Sequence, residues 1–183
     1  MRVIGIDPGL TRCGVGVVDG GIGSKPTFVA AGVVRTKRDT PLPLRLLQIE
    51  EGLTEWFDKY RPDTVAVERV FAQHNLNTVT DTAQAAGIGL LISARRKLPA
   101  NLYTPSEVKA AVTGSGKADK QQIGTMVTQI LALEQMPKPA DAADAVALAI
   151  CQLWRGGVAN RYQLWRGGVA NRYAAAVAAS RRK

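Results

Sequence analysis

The chain has 183 residues, with 24 Lys and Arg against 15 Asp and Glu, one His and two Cys; its formal net charge is +9 and 46% of it is hydrophobic. That is enough apolar material for one globular core and too little length for most multidomain enzymes, and no stretch approaches the roughly 20 uninterrupted apolar residues of a membrane span. Cys13 and Cys151, with no CxxC spacing and only His74 as a nitrogen donor, exclude a zinc site or a disulfide framework as the organising feature and read as reduced, packed thiols.

The N-terminus opens directly on a strand-like RVIGID (2–7) in place of a basic and then apolar leader, so the expectation is a soluble, cytoplasmic protein. The turn-forming PGLTR leads into CGVGVVD (13–19), and the Gly-rich GGIGSKP into TFVAAGVVRT (27–36). Connections this short predict an antiparallel three-stranded meander. A helix follows over about 42–60, because Leu42, Leu46, Ile49, Leu53, Trp56, Phe57 and Tyr60 recur at intervals of three and four. Pro62 and Asp63 then introduce TVAVERV (64–70), a near-continuous apolar run that suits a central strand buried on both faces. A second long helix, about 75–97, carries Ala83, Ala85, Ala86, Gly87 and Gly89. These small residues permit a close approach, either by a second subunit or by elements of the same chain.

NLYTP (101–105) supplies a short fifth strand, TPSEVKAAV opens a helix with a Ser or Thr cap, and TGSGKADK (113–120) is a polar loop. Two last helices run over about 118–134 and 139–154. The order predicts an α/β fold, a five-stranded mixed sheet with three antiparallel strands first, flanked by helices, in one domain over 1–155.

What remains, 156–183, reads as a basic tail. Residues 1–151 hold all 15 acids and 17 bases, a balance of +2, whereas 152–183 hold seven bases and no acid. The segment QLWRGGVANRY occupies 152–162 and recurs without change at 163–173. It is either a basic extension that touches phosphates or a duplication without a function of its own. The second reading is favoured: each copy carries a Gly-Gly pair that would weaken a continuous helix, and two units are too few for a solenoid.

Four acids stand out from this background. Asp7 ends the first strand in GIDPG, where it is either a turn-forming residue or a carboxylate at a sheet edge. Glu68 interrupts the apolar TVAVERV near its end; it either faces water or is a buried carboxylate that needs cations to offset its desolvation. Asp141 and Asp144, in PADAADAVALAI, are spaced to share one face of a helix's first turn. Capping explains one such acid better than it explains two. Acids at the ends of adjacent strands and on a covering helix can converge, and such a cluster would repel itself without divalent cations. Oxygen-only ligands favour Mg²⁺ or Mn²⁺ over zinc, and a pair of such ions suits phosphodiester hydrolysis.

Taken in order, GIDPGLTRCG, AVERVF, TPSEVKAAVTGSGKADK and PADAADAVALAI resemble the RuvC family of Holliday-junction resolvases, within the RNase H-like nuclease superfamily, from residue 1 to about 155. The resemblance implies an RNase H-like fold and a homodimer that binds a four-way DNA junction in recombination and repair. It implies two symmetry-related nicks that leave 5′-phosphate and 3′-hydroxyl ends. Asp7, Glu68, Asp141 and Asp144 would be the catalytic, metal-binding set, with two Mg²⁺ per active site and Mn²⁺ as a substitute. Asp7 would be shared between the ions, Glu68 would hold one, and Asp141 with Asp144 would complete the other side. Lys109 and Lys120 match residues that contact DNA near the scissile phosphate, and Phe71 matches an aromatic that stacks on an unpaired base. The branch-migration proteins RuvA and RuvB become candidate partners, and no membrane is implied. The family pattern gives His74 no part, and it does not extend to the repeat or the RRK ending.

Two other function classes are weighed against a nuclease. Actin-like kinases and ATPases also open on an acidic, Gly-rich strand-turn-strand, but they use two such lobes and a longer chain. A non-catalytic junction-binding module fits poorly with an acid cluster that opposes phosphate binding. For the tail, deletion of 163–173 is expected to leave DNA cleavage at saturating enzyme largely unchanged. A loss of about tenfold or more, equivalent to one well-placed interaction, would give the second copy a part in catalysis or assembly.

Overall fold

The computed structural model describes residues 1–21, 23–70 and 76–155. His74 and the whole of the 156–183 tail, second repeat copy included, therefore lie outside the described residues, as does Phe71. Strands β1 (Arg2–Asp7), β2 (Arg12–Asp19) and β3 (Thr27–Arg35) come first, then helix α1 (Leu42–Tyr60) and strand β4 (Thr64–Glu68). Helix α2 (Leu76–Arg95), strand β5 (Ala100–Tyr103) and helices α3 (Pro105–Thr113), α4 (Lys120–Ile130) and α5 (Ala140–Arg155) complete the order. The strands form one sheet in the order β3-β2-β1-β4-β5. β1 pairs antiparallel with β2 and β2 with β3, as the short turns require, while β4 and β5 join in parallel after helical crossovers.

Alternation along the strands sends side chains to two separate cores. Ile4, Ile6, Val15, Val17, Val65 and Val67 pack with Ile49, Leu53 and Phe57 of α1 and with Ala85, Ala86 and Ile92 of α2. Val3, Val18, Ala66 and Tyr103 pack on the other face with α5 and with Val108, Val112, Ile123 and Val127 of α3 and α4. The two thiols are free and buried, one on each face: Cys13 with the first core and Cys151 with the second. Burial pushes each of them up to about 12, so they remain protonated, packed side chains.

Helix α5 lies unusually close to the sheet. A Cβ added to Gly5 would fall on the Ala145 carbonyl, one on Gly14 on the Asp141 carbonyl, and one on Gly16 on the Val146 amide. Three glycines on the α5 face of β1 and β2 thus let helix backbone rest on strand backbone. The helix meets them with Ala142, Ala145 and Ala149, all buried.

Several boundaries differ from the sequence reading. β4 stops at Glu68, so Arg69 and Val70 lie outside the strand. α4 is shorter than the expected 118–134: it ends at Ile130, and it begins at Lys120 because Asp119 caps it, the Asp119 side chain accepting from the Gln122 amide while the Asp119 amide donates to the Gln122 side chain. Thr104 and Glu107 form the same reciprocal box at the start of α3, where a Ser or Thr cap was expected. Leu42 stays out of the core at 40% exposure, and the buried seam of α1 is instead Arg45, Ile49, Leu53 and Phe57. The small residues of α2 differ in burial. Ala85, Ala86 and Gly89 are buried against the chain's own sheet, and Ala83 and Gly87 are exposed. Among the described residues no helix is long and apolar enough to cross a membrane.

Replacing Gly16 by Ala is expected to destabilise the fold by about 1–3 kcal/mol, the usual range for forcing atoms into a filled core. Urea unfolding with an unchanged slope and a lower midpoint would record it, and an unchanged midpoint would show that α5 has room to shift.

Candidate active site

Asp7 and Glu68 end two neighbouring parallel strands. The register that pairs Ile6 with Val67 places Asp7 beside Glu68 when extended by one residue. Asp7 pairs with Gly14 across β1 and β2, and the Cβ that Gly14 lacks would touch both the Asp7 Cβ and the Asp141 carbonyl. The close seating of α5 therefore brings its first turn directly over the end of β1. Asp141 and Asp144, three residues apart on that turn, both face the strand ends and are partly exposed. All four acids expected to act together are gathered at one edge of the sheet.

Their electrostatics follow from that crowding. Burial, then the charges of Glu68, Asp144 and Asp141, push Asp7 up from 3.8 to about 8, and Lys120 opposes the shift. Glu68 is raised by burial first and by Asp144 second, with Lys120 and Lys109 acting against them. Both lysines flank the α3–α4 loop, as the sequence suggested, and both bear on the acid cluster. Lys120 donates to Asp144 Oδ2 at 3.4 Å with its own side chain 81% exposed. A groove of about 510 Å³ between α4 and the start of α5 reaches this point, lined among others by Lys120, Thr125, Met136 and Asp144.

A third cation, Arg12, went unnoticed in the sequence. Its Nε lies 3.1 Å from Asp141 Oδ2, within ion-pair range. The approach is not aligned for a hydrogen bond, so that buried oxygen has no hydrogen-bond partner. The only available signal was a base following the DPG turn, and exposed bases after turns are common.

The turn itself is held from below by Arg45, a buried base placed by the α1 seam. Arg45 donates from Nε to Thr36 Oγ1 at 2.9 Å and from Nη2 to Thr11 Oγ1 at 2.8 Å, while Thr36 Oγ1 donates to the Leu10 carbonyl at 2.6 Å.

As a ligand set the acids offer only hard oxygen donors, in a place where they repel one another and where one buried oxygen lacks a hydrogen bond. That chemistry suits a divalent cation of the Mg²⁺ type. The side chains stand as ion pairs and not as a closed shell: among the described residues no group of three or more Asp, Glu, His or Cys is arranged to hold a metal as it stands.

The family model for the crossover junction endodeoxyribonuclease RuvC matches residues 3–152. The chain is 66% identical over 161 residues to the crossover junction endodeoxyribonuclease RuvC of Thermobifida fusca, covering 88% of each protein. Its fold resembles Thermus thermophilus RuvC solved in complex with Holliday junction substrate, with a TM-score of 0.80 and 33% identity over 85% of this chain and 94% of that one. It also resembles the yeast mitochondrial Holliday junction resolvase Ydc2, at a TM-score of 0.57 and 14% identity over 82% of this chain and 78% of that one, a likeness of fold alone. The described residues have the RNase H-like fold of these resolvases.

Because folding raises the Asp7 pKa from 3.8 to about 8, the folded chain holds a proton that the unfolded chain releases over that interval. The contribution of Asp7 to stability is therefore complete below the lower value and is lost as pH rises through the higher one; Glu68 shifts in the same direction. In EDTA the melting temperature is expected to fall between about pH 5 and pH 8, and Asp7→Asn to flatten that fall and raise the melting temperature at the upper end. An unaltered pH slope in Asp7→Asn would place the strain elsewhere.

Proposed function

The chain belongs to the RuvC family of crossover junction endodeoxyribonucleases, and from that premise we propose that it resolves four-way DNA junctions by two symmetry-related nicks, one from each site of a homodimer. The observation that carries the reading is the convergence of Asp7, Glu68, Asp141 and Asp144 at one sheet edge, with Lys109 and Lys120 beside them. The junction bound by the similar Thermus protein supports the same substrate here.

Asp7, Glu68, Asp141 and Asp144 would hold two Mg²⁺ ions, or Mn²⁺ in their place, with Asp7 shared, Glu68 on one and the helix acids on the other. Such ions, when bound, supply charge stabilisation at the scissile phosphate and a water made nucleophilic at neutral pH, giving 5′-phosphate and 3′-hydroxyl ends. The chain's own part is to position. Strand ends fix Asp7 and Glu68, the close seating of α5 fixes Asp141 and Asp144, and the lysines engage the phosphates on either side. Lys109, half-buried on α3, and Lys120, exposed on α4, offer point charges that suit backbone contact without reading sequence. Phe71, from the resemblance, would stack on an unpaired base.

The homodimer reading is supported by α2, on the sheet face opposite α5. Its exposed Ala83, Gly87, Leu91 and Ala94 recur at helical spacing, Leu91 is 45% exposed, and nothing lies within 4 Å of the position a Gly87 Cβ would take. The proposed setting is cytoplasmic, in recombination and DNA repair, alongside the branch-migration proteins RuvA and RuvB.

Labelled four-way, nicked, linear and single-stranded DNA incubated with Mg²⁺ tests the reading. Symmetric nicks confined to the four-way substrate are expected, and Asp7→Asn and Glu68→Gln should each lower the rate on the order of a hundred- to a thousandfold while still binding the junction. Cleavage at the normal rate by either variant would refute the proposed role of the acids.

A further inference from the structure

Arg12 has a fixed root and a free head. Its backbone opens β2 directly after the turn that Arg45, Thr36 and Thr11 lock in place, and the Thr36 amide adds a bond to the Thr11 carbonyl at 3.1 Å. Its side chain, in contrast, is 53% exposed. Residues 12, 14 and 16 share the α5 face of the strand. Gly14 and Gly16 leave space for the helix, and Arg12, the next in that row, reaches Asp141 in the helix's first turn. Opposite it on β3 stands exposed Arg35, its cross-strand partner, and a like charge at a paired position disfavours any lean away from the acids.

The oxygen that Arg12 approaches is the buried Asp141 Oδ2, which has no hydrogen bond in return. Arg12 neutralises this carboxylate without satisfying it, as a substitute cation would. A guanidinium that is released close to a scissile phosphate has a second suitable partner, since its planar donors match phosphate oxygens in pairs. We propose that Arg12 is a further functional residue of this site: it stands in for the divalent ion at Asp141 in the resting protein and turns to the DNA backbone when an ion takes its place. The inference rests on the reading of Asp141 as an ion ligand. It makes Arg12 the link through which ion and DNA favour each other's binding, a reciprocal coupling.

Three forms of the full chain test this: unaltered, Arg12→Gln and Asp7→Asn, each checked by thermal melting. Mn²⁺ affinity without DNA is read from the electron paramagnetic resonance of free Mn²⁺, and junction affinity from fluorescence anisotropy in EDTA and in Ca²⁺. Removing a competing, partly exposed cation should tighten Mn²⁺ binding by about two- to fivefold in Arg12→Gln. The same variant should lose a comparable factor of junction affinity in Ca²⁺ and little in EDTA, with Arg12→Lys intermediate in both. Mn²⁺ affinity that is unchanged or weaker in Arg12→Gln overturns the substitute-cation role. A junction affinity that falls equally with and without Ca²⁺ overturns the link, making Arg12 an ordinary phosphate contact. If Asp7→Asn binds Mn²⁺ as the unaltered chain does, the ion-site reading itself fails and the role of Arg12 fails with it, whichever way Arg12→Gln behaves.

Discussion

The contact between the backbone of α5 and the backbones of β1 and β2 sets everything else in this molecule. It exists because Gly5, Gly14 and Gly16 present no side chain on one face of two adjacent strands, and because the helix answers with alanines. A helix normally stands off a sheet by the depth of two layers of side chains. Here the Asp141 carbonyl occupies the place of a missing Cβ on the residue paired with Asp7. Its first turn therefore lies level with the strand ends, and its acids join Asp7 and Glu68. Any one side chain on that glycine track would lift the helix and separate the two pairs of acids.

The consequence is a local store of unfavourable charge. Burial, and then the neighbouring charges of Glu68, Asp144 and Asp141, raise Asp7 to about 8. The rest of the fold is locally consistent: reciprocal caps begin α3 and α4, apolar strands alternate between two cores, and a buried glutamine on α5 bonds to Thr64, Asn101 and Tyr103. The site departs from that consistency, as functional sites do. The cations that offset it, Arg12, Lys109 and Lys120, sit at the rim on flexible stems, so compensation is available without being permanent.

This also changes the meaning of the net charge. A chain at +9 suggests DNA affinity spread over its surface, yet residues 1–151 balance to +2 and the excess belongs to 152–183. Among the described residues, Arg12, Lys109 and Lys120 are bases placed beside acids. Their effect depends on what neutralises those acids.

By itself the sequence determined the elements and their kinds. Turn chemistry gave the antiparallel meander, helical periodicity gave α1, and the apolar run broken by Glu68 gave a central strand with an acid at its end; the four acids were each visible as exceptions to a local pattern. It did not determine the glycine track, although Gly5, Gly14 and Gly16 all stood in segments read as strands, because a missing side chain acquires meaning only from what lies above it. Nor did it single out Arg12 or Arg45, or exclude Leu42 from the core. Periodicity is a property of one segment, and it specifies which residues share a face. Strand register and the seating of a helix are properties of pairs of segments distant in sequence. Only those decided that Asp7, Glu68, Asp141 and Asp144 would meet, and that an arginine after a common turn would reach a buried carboxylate oxygen left without a hydrogen bond.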